Sequence, residues 1–214
     1  GDQTQGMTHA WLFTGPPGSG RSNAAIAFAA ALVCKNGGCS NCADCMATIT
    51  NSHADVELIK TEGLSIKIDE IRELISRASW APSVAAWRVV VIEDADRLTD
   101  SAANALLKVI EEPGLRTVWL LCAPTLTDVL PTIRSRCRHL SLRTPSTKAI
   151  TKLLIERDSI DPATAEFVAK ASGGHIGRAR RLATDTNAKE NRRNIMKLPF
   201  AIKDIASAFK AAQY

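Results

Sequence analysis

A glycine-rich stretch near the amino terminus constrains the fold most strongly. Residues 15–22 read GPPGSGRS, which fits the phosphate-binding P-loop except that Arg21 stands where the motif has lysine. Glycines let backbone N–H groups turn toward a phosphate, and the following helix points its positive end at the same charge. Arginine keeps the charge and changes its geometry. We predict a degenerate nucleotide site, with ATP and Mg²⁺ bound weakly or not at all, that includes Gly15, Gly18, Ser19, Gly20, Arg21 and Ser22.

Size and composition set the broad class. The chain has 214 residues, 45% of them hydrophobic, which is enough for one large or two small domains. No apolar run reaches the roughly 20 residues of a membrane span, and no signal peptide is evident, so we expect a cytoplasmic protein without membrane contact. A net charge of +5 is mild, and a solvated surface accounts for it better than a dedicated DNA groove.

Apolar runs alternate with helical patterns in the first two thirds of the chain. Strands are predicted at residues 11–14, 55–60, 88–93, 117–123 and 138–142. The stretch 23–33 is alanine-rich and helical, and residues 68–75 and 103–110 have apolar side chains at helical spacing before Pro113-Gly114. This alternation predicts an α/β fold with a parallel sheet covered on both faces.

Strand signals end near Thr144-Pro145, and the remainder is predicted to be helical. We therefore expect a P-loop domain at residues 8–144 and a small all-α domain at 145–214. Asp161 and Pro162 mark the start of one helix, and Ser172-Gly173-Gly174 marks its end. A last helix carries an apolar stripe that nothing later in the sequence covers, which suggests that the natural protein continues: Ile202, Ile205, Ala206 and Phe209.

Four cysteines follow the P-loop helix within twelve residues. Cys34, Cys39, Cys42 and Cys45 can surround one tetrahedral zinc ion. Disulfides are disfavoured because no secretion signal is present and two-residue loops between bridged cysteines would be strained. Unliganded cysteines are the remaining alternative, but they would expose four reactive thiols in a polar loop. We predict a structural zinc module at residues 34–45, in that loop. Cys122 and Cys137 lie in apolar or strand-like sequence and are expected to be small buried residues.

A second nucleotide motif lies at the end of the predicted third strand. Residues 89–94 read VVVIED, an apolar run ending in two carboxylates as in a Walker B motif, where one acid orients Mg²⁺ and the next polarises water. Active ATPases of this kind have Asp before Glu, whereas here Glu93 precedes Asp94. The reversed side-chain lengths displace both carboxylates, which argues against efficient hydrolysis. The alternative is a pair of exposed loop acids.

An arginine at a predicted helix-to-strand junction suggests a role outside this chain's own site. Ser135-Arg136-Cys137 is by itself a weak signal, typical of a surface turn. In a domain of this type, however, an arginine at that junction can reach a neighbouring subunit's γ-phosphate, as an arginine finger does.

Taken together, these motifs resemble the AAA+ clamp-loader subunits of bacterial replicative DNA polymerase III. The resemblance rests on residues 91–98 (VIEDADRL), on ANALLK at 103–108 followed by Glu111-Glu112-Pro113, on Ser135-Arg136-Cys137 and on the four cysteines. It covers residues 8–181. It implies a stator-type subunit that belongs to the polymerase holoenzyme, contacts the gamma/tau and delta subunits, supports loading of the sliding clamp onto primed DNA, and donates Arg136 in trans.

Two alternatives are weighed against the stator. The first is an active, gamma/tau-like ATPase, but the family's sensor arginine aligns with Gly177, and Arg178 is one residue out of place. The second is a DNA-binding module that uses the zinc loop and the basic residues between Arg178 and Arg193. Residues 35–44 hold little positive charge and no aromatic side chain for base stacking, which argues against this use.

Overall fold

The structure, a computed structural model, describes residues 8–61 and 63–184. Two compact units divide between Arg143 and Thr144. The first contains strands β1 (Ala10–Thr14), β2 (Val56–Ile59), β3 (Arg88–Ile92), β4 (Thr117–Ala123) and β5 (Arg138–Ser141), and helices α1 (Arg21–Val33), α2 (Ala43–Ile49), α3 (Ile68–Ala78), α4 (Asp100–Glu111) and α5 (Pro131–Arg134). The second contains α6 (Thr147–Glu156), α7 (Pro162–Ala171) and α8 (Ile176–Thr184).

The sheet of the first unit is parallel throughout, in the order β2-β3-β4-β1-β5. Every residue of the central strands β3 and β4 is buried, as expected when helices cover both faces. On one face, Leu12 and Trp119 pack with residues of α3 and α4. On the other, Phe13 and Leu120 pack with Ala25 and other residues of α1. The predicted α/β class and the parallel sheet are confirmed.

Most predicted strand bounds agree with the structure to within one residue. The strand predicted at 117–123 is confirmed at both ends. At the end of β3, Glu93 still donates its backbone N–H to the carbonyl of Ile59 at 3.0 Å, so the ladder runs one residue past the assigned strand. β2 has four residues where six were predicted, although the carbonyl of Asp55 still accepts a hydrogen bond from the backbone N–H of Val89 at 2.8 Å.

Asp55 is fully buried and anchors the loop that leads into β3. Its carboxylate accepts hydrogen bonds from the backbone N–H groups of Ser83, Val84 and Ala85 at 2.7–2.8 Å and from the Ser83 hydroxyl at 2.9 Å. Burial alone would raise the pKa of Asp55, but the backbone hydrogen bonds outweigh it and lower the pKa to about 2. The carboxylate is therefore ionised, and it fixes the loop.

The second unit has its own apolar core, contributed by all three helices. Asp161 caps α7 by accepting a hydrogen bond from the Thr164 N–H at 2.9 Å, with Pro162 in the first turn. Positive φ angles at Gly173 and Gly174 follow the helix end. These predicted signals are confirmed. The predicted last helix lies outside the described residues, and in the described part of the chain every helix is too short or too polar to cross a bilayer.

Candidate functional site

The predicted nucleotide-site residues gather at one edge of the sheet. Strands β1, β3 and β4 are parallel, so their carboxyl ends lie together. The glycine-rich loop follows β1, and the Glu93-Asp94 pair follows β3. The backbone N–H of Gly15 donates to the carbonyls of Ala123 and Pro124 at the end of β4. Ligands of open α/β sheets bind at this edge.

The loop has the backbone conformation for which its glycines are needed. Gly18 and Gly20 have φ angles of 87° and 83°, which other residues adopt only with strain. At Gly15 the constraint is space, because an added Cβ would clash with the Ser19 hydroxyl oxygen and lie 2.8 Å from the carbonyl oxygen of Leu142. Helix α1 begins directly after Gly20, at Arg21. The glycine framework of a phosphate loop is therefore present.

Arg21 turns back onto the loop. Its Nη1 donates a hydrogen bond to the carbonyl oxygen of Gly15 at 2.8 Å. Beside it, Ser19 is 7% exposed, and its hydroxyl has no hydrogen-bond partner in the described part of the chain. An unpaired buried hydroxyl is costly, and here it lies in the loop that would receive a phosphate. The backbone of the loop suits an anion, but one N–H donor of the Arg21 guanidinium is already bonded to the carbonyl of Gly15.

The acidic pair lies within electrostatic reach of Arg21. Burial raises the pKa of Glu93, and the charge of Asp94 raises it further, while the charges of Lys60 and Arg21 lower it. Burial also raises the pKa of the neighbouring Cys122 thiol to about 12, with Glu93 as the largest charge contribution. Cys122 is fully buried, as predicted. Glu93 and Asp94 are both partly buried, so neither is the freely exposed loop acid of the alternative interpretation.

The four cysteine sulfurs form a compact cluster. All four Sγ atoms lie within 4.8 Å of one another. Cys34 Sγ is 3.7 Å from Cys39 Sγ and 3.6 Å from Cys42 Sγ. Four sulfurs bound tetrahedrally to zinc at about 2.3 Å would be separated by about 3.8 Å. The cluster therefore fits zinc, with four protein ligands and no open position for substrate.

Helix ends position these sulfurs. Cys34 ends α1, Cys42 caps the start of α2, and the Cys42 Sγ accepts the N–H of Cys45 at 3.4 Å. The prediction that all four cysteines lie in a loop is wrong for Cys45, which lies in the first turn of α2 and is fully buried. Backbone N–H groups of Cys39 and Gly38 point at Cys34 and lower its pKa to about 6. Such donors stabilise the thiolate that binds metal.

Arg136 lies directly after α5, on the surface. Its side chain is 41% exposed and forms a salt bridge from Nη2 to Glu111 Oε1 at 2.7 Å. Nη1 donates to the Thr132 carbonyl at 2.9 Å and to the Ser135 hydroxyl at 3.2 Å. The predicted helix-to-strand junction is confirmed, since α5 ends at Arg134 and β5 begins at Arg138.

Apolar residues on either side of Arg136 attach the Ser135-Arg136-Cys137 segment to the core. Ile133 is 1% exposed and belongs to the core that also contains Ile110 of α4. Cys137 is half-buried against the same core, and burial raises the pKa of its thiol to about 12. The segment that carries Arg136 is thus attached to the core on both sides of the arginine, by Ile133 before it and by Cys137 after it. Glu111 appeared in the sequence only as part of a family motif, and its contact with Arg136 could not be read from a separation of 25 residues.

The carboxy-terminal arginines do not form one free basic patch in the described residues. Arg180 is bound by both oxygens of Asp158, at 2.7 and 2.9 Å. Arg178 and Arg181 are exposed on α8. Arg192 and Arg193 lie outside the described residues. The ion pair of Arg180 lowers the net charge available to a nucleic acid from this helix.

The parallel sheet, its strand order and the glycine-rich loop after β1 define a P-loop protein of the AAA+ type. Two solved structures show the same fold. The DNA polymerase III gamma subunit-related protein of Thermotoga maritima has a TM-score of 0.55 at 22% identity, over 92% of this chain and 59% of that one. The RuvB Holliday junction branch migration motor of the same organism has a TM-score of 0.57 at 19% identity, over 96% and 61%.

Sequence comparison identifies the family. The family described as "DNA polymerase III, delta subunit" matches residues 2–146, and the chain belongs to that family. It is 33% identical to the DNA polymerase III subunit delta' of Bacillus subtilis, over 90% of this chain and 59% of the relative. It is 34% identical to the delta' subunit of Pseudomonas aeruginosa, over 81% and 55%.

Gamma/tau subunits of DNA polymerase III are also similar to this chain. The gamma/tau subunit of Mycobacterium tuberculosis is 33% identical over 78% of this chain and 31% of its own length. The chain spans 59% of the Bacillus subtilis delta' relative and less of the other two. These relatives are delta' and gamma/tau subunits of DNA polymerase III, the kind of subunit that the sequence motifs resemble.

Proposed function

We propose that this protein is the delta-prime stator of a DNA polymerase III clamp loader, with little ATPase activity of its own. The observation that carries the proposal is the hydrogen bond from Arg21 to the Gly15 carbonyl. A P-loop lysine is a mobile point charge that reaches the β- and γ-phosphates, whereas Arg21 is directed at its own loop. Nucleotide binding is then weak, and the chain serves as a rigid part of the complex.

The acidic pair supports the same conclusion. Hydrolysis requires one carboxylate on Mg²⁺ and one on the attacking water. Here the order is reversed, and burial raises the pKa of Glu93, the acid in the metal position. A carboxylate that ionises less readily binds Mg²⁺ less well. The absence of a sensor arginine at Gly177 is a third departure from a motor subunit.

Arg136 is the residue proposed to act on the neighbour. Its guanidinium is part-exposed, and α5 is packed on the core through Ile133, so the charge is presented from a fixed position. In the complex it would stabilise the charge that develops on the γ-phosphate of an adjacent gamma/tau subunit. The proposed partners are gamma/tau and delta, with the sliding clamp and primed DNA engaged through the assembly.

The cysteine cluster is proposed to hold structural zinc. Cys34, Cys39, Cys42 and Cys45 would supply all four ligands, and the ion would tie the end of α1 to the start of α2. Between those helices lie nine residues, 34–42, with left-handed backbone at Gly37, Gly38 and Ser40. A metal cross-link would hold such a segment in one conformation.

Steady-state turnover of the purified protein with Mg²⁺-ATP tests the stator against the motor. We expect no turnover above background, and no change on Glu93→Ala. The alternative, a gamma/tau-like ATPase, is favoured by the intact glycine framework and by the gamma/tau relatives. A measurable rate that collapses on Glu93→Ala but not on the control Glu112→Ala would establish the motor instead.

The arginine finger is tested in the assembled loader. We expect Arg136→Ala to reduce the ATPase rate of a complex reconstituted with gamma/tau and delta by roughly a thousandfold or more, the loss typical of an arginine finger. Arg72→Ala, which removes another exposed arginine, is the control. An unchanged ATPase in the Arg136→Ala complex would show that Arg136 has no such role.

A further inference from the structure

Arg136 is held from two sides by different secondary-structure elements. On one side, the carbonyl of Thr132 and the hydroxyl of Ser135 accept from Nη1. On the other side, Glu111 at the end of α4 accepts from Nη2 at 2.7 Å. An arginine has five N–H donors in a rigid plane. Contacts at both Nη atoms therefore fix the orientation of that plane as well as its position.

The distance between Glu111 and Arg136 is set by the core beneath them. Ile110 precedes the glutamate, Ile133 lies three residues before the arginine, and both are 1% exposed in the same apolar cluster. Interiors are close-packed, so helices joined in this way do not slide freely. Glu111 and Arg136 therefore meet at the ends of α4 and α5, whose relative position is fixed by the core.

The position of Glu111 is not explained by helix stability. The carboxyl end of a helix carries a partial negative charge, so a glutamate in the last turn is unfavourable there. The salt bridge compensates little, because both side chains are more than two-fifths exposed and water screens such pairs. Glu111 therefore contributes little to the stability of the fold, and its main effect is on the orientation of Arg136.

We infer that Glu111 is a positioning residue for Arg136. This inference rests on the proposed function, since it requires that Arg136 act on a neighbour's nucleotide. With Glu111 in place, the guanidinium is already oriented when the neighbouring phosphate arrives. Without Glu111, only the hydrogen bonds from Nη1 to Thr132 and Ser135 hold the guanidinium, and its plane can rotate about them. Pre-orientation of a charged group lowers the barrier that it acts on.

The test replaces Glu111 in the full-length protein and measures the ATPase of the reconstituted loader. We expect Glu111→Gln to lower kcat roughly tenfold, with unchanged KM for ATP and unchanged assembly of the complex. A merely structural role would alter assembly or thermal stability instead. Glu112→Gln is the matched control, because this neighbouring glutamate is also exposed and carries the same charge. It should leave kcat unchanged.

A second variant and a double mutant sharpen the result. Glu111→Asp keeps the charge but is one methylene shorter, so we expect a kcat between those of the parent and Glu111→Gln. If Glu111 acts through Arg136, Glu111→Gln should cause no further loss in an Arg136→Ala background. A further tenfold loss there would overturn the inference.

The outcomes separate this inference from the proposed function. If Arg136→Ala abolishes the stimulated ATPase while Glu111→Gln behaves like Glu112→Gln, the finger stands and the positioning role is wrong. A higher kcat for Glu111→Gln would also overturn positioning, since it would show that the glutamate restrains the arginine. If Arg136→Ala has no effect, the proposed finger itself fails.

Discussion

Arg21 donates a hydrogen bond from Nη1 to the carbonyl oxygen of Gly15, 2.8 Å away, across the loop that both residues belong to. The residue that replaces the phosphate-binding lysine thus closes the loop on itself. The same loop leaves the Ser19 hydroxyl buried and without a partner in the described residues. The two features together give a loop with the shape of a phosphate site, in which one donor of the cation is engaged by the loop itself.

Replacing Arg21 by lysine should strengthen nucleotide binding. Lysine is a compact charge that cannot span the loop as the guanidinium does. We expect Arg21→Lys to bind ATP about tenfold more tightly, since a hydrogen bond to a charged group is worth about 1.5–3 kcal/mol. Titration with a fluorescent ATP analogue measures this, and Arg72→Lys is the control. Equal affinity of the parent and Arg21→Lys would show that the contact with Gly15 does not limit binding.

Alanine at Gly15 should destabilise the first unit. The new Cβ would clash with the Ser19 Oγ and approach the backbone carbonyl oxygen of Leu142 at 2.8 Å. Removing the hydroxyl with Ser19→Ala relieves only the first clash. We expect a loss of about 1–3 kcal/mol in the free energy of unfolding, as is typical of overpacking. Urea denaturation measures it.

The control for Gly15 is Gly63→Ala, where the nearest atom to an added Cβ is 3.5 Å away. That distance is an ordinary contact, so stability should change little. A Gly15→Ala protein as stable as Gly63→Ala would mean that the loop can shift away from Leu142.

Removal of the proposed zinc ion should unfold the segment between α1 and α2. Elemental analysis of protein purified without chelator should give one zinc per chain, and Cys39→Ser and Cys42→Ser should lose it. We expect Tm to fall by roughly 10 °C, because structural zinc supplies several kcal/mol of folding free energy. Cys122→Ala is the control for the zinc content, since this thiol lies in the core of the sheet and outside the cysteine cluster. Full stability after the metal is removed would contradict a structural role.

Asp55 should make a pH-dependent contribution to stability. Its folded pKa of about 2 lies below its ordinary value of 3.8, so the folded state favours the ionised form. The contribution is complete above the ordinary value, and it is lost as the pH falls toward 2. We expect Asp55→Asn to lower the free energy of unfolding by about 2–3 kcal/mol at pH 7, with a difference from the parent that shrinks below pH 4.

Urea denaturation at several pH values checks the Asp55 prediction. Asp69→Asn is the control, because its side chain is 87% exposed and pairs only loosely with Arg72 at 3.6 Å. A difference between parent and Asp55→Asn that stayed constant from pH 7 to pH 3 would show that the charge of Asp55 is not what holds the loop.

Much of the fold could be predicted because local signals and the global structure agree. The buried strands β3 and β4 are continuous apolar runs, and α7 begins and ends at its expected capping residues. Helix α2 was missed because it has only seven residues and begins inside the cysteine motif. A short helix held by side-chain contacts has little periodicity of its own to detect.

The sequence by itself determined the glycine positions of the loop, the cysteine spacing and the parallel α/β class, since each depends on residues close together in the chain. Only the tertiary structure decided that Arg21 faces Gly15, and that Glu111 meets Arg136. Both depend on side-chain orientation, and the second depends on how α4 and α5 pack through Ile110 and Ile133. A pattern of residue types carries no information on that packing, because many side-chain directions are compatible with the same helices and strands.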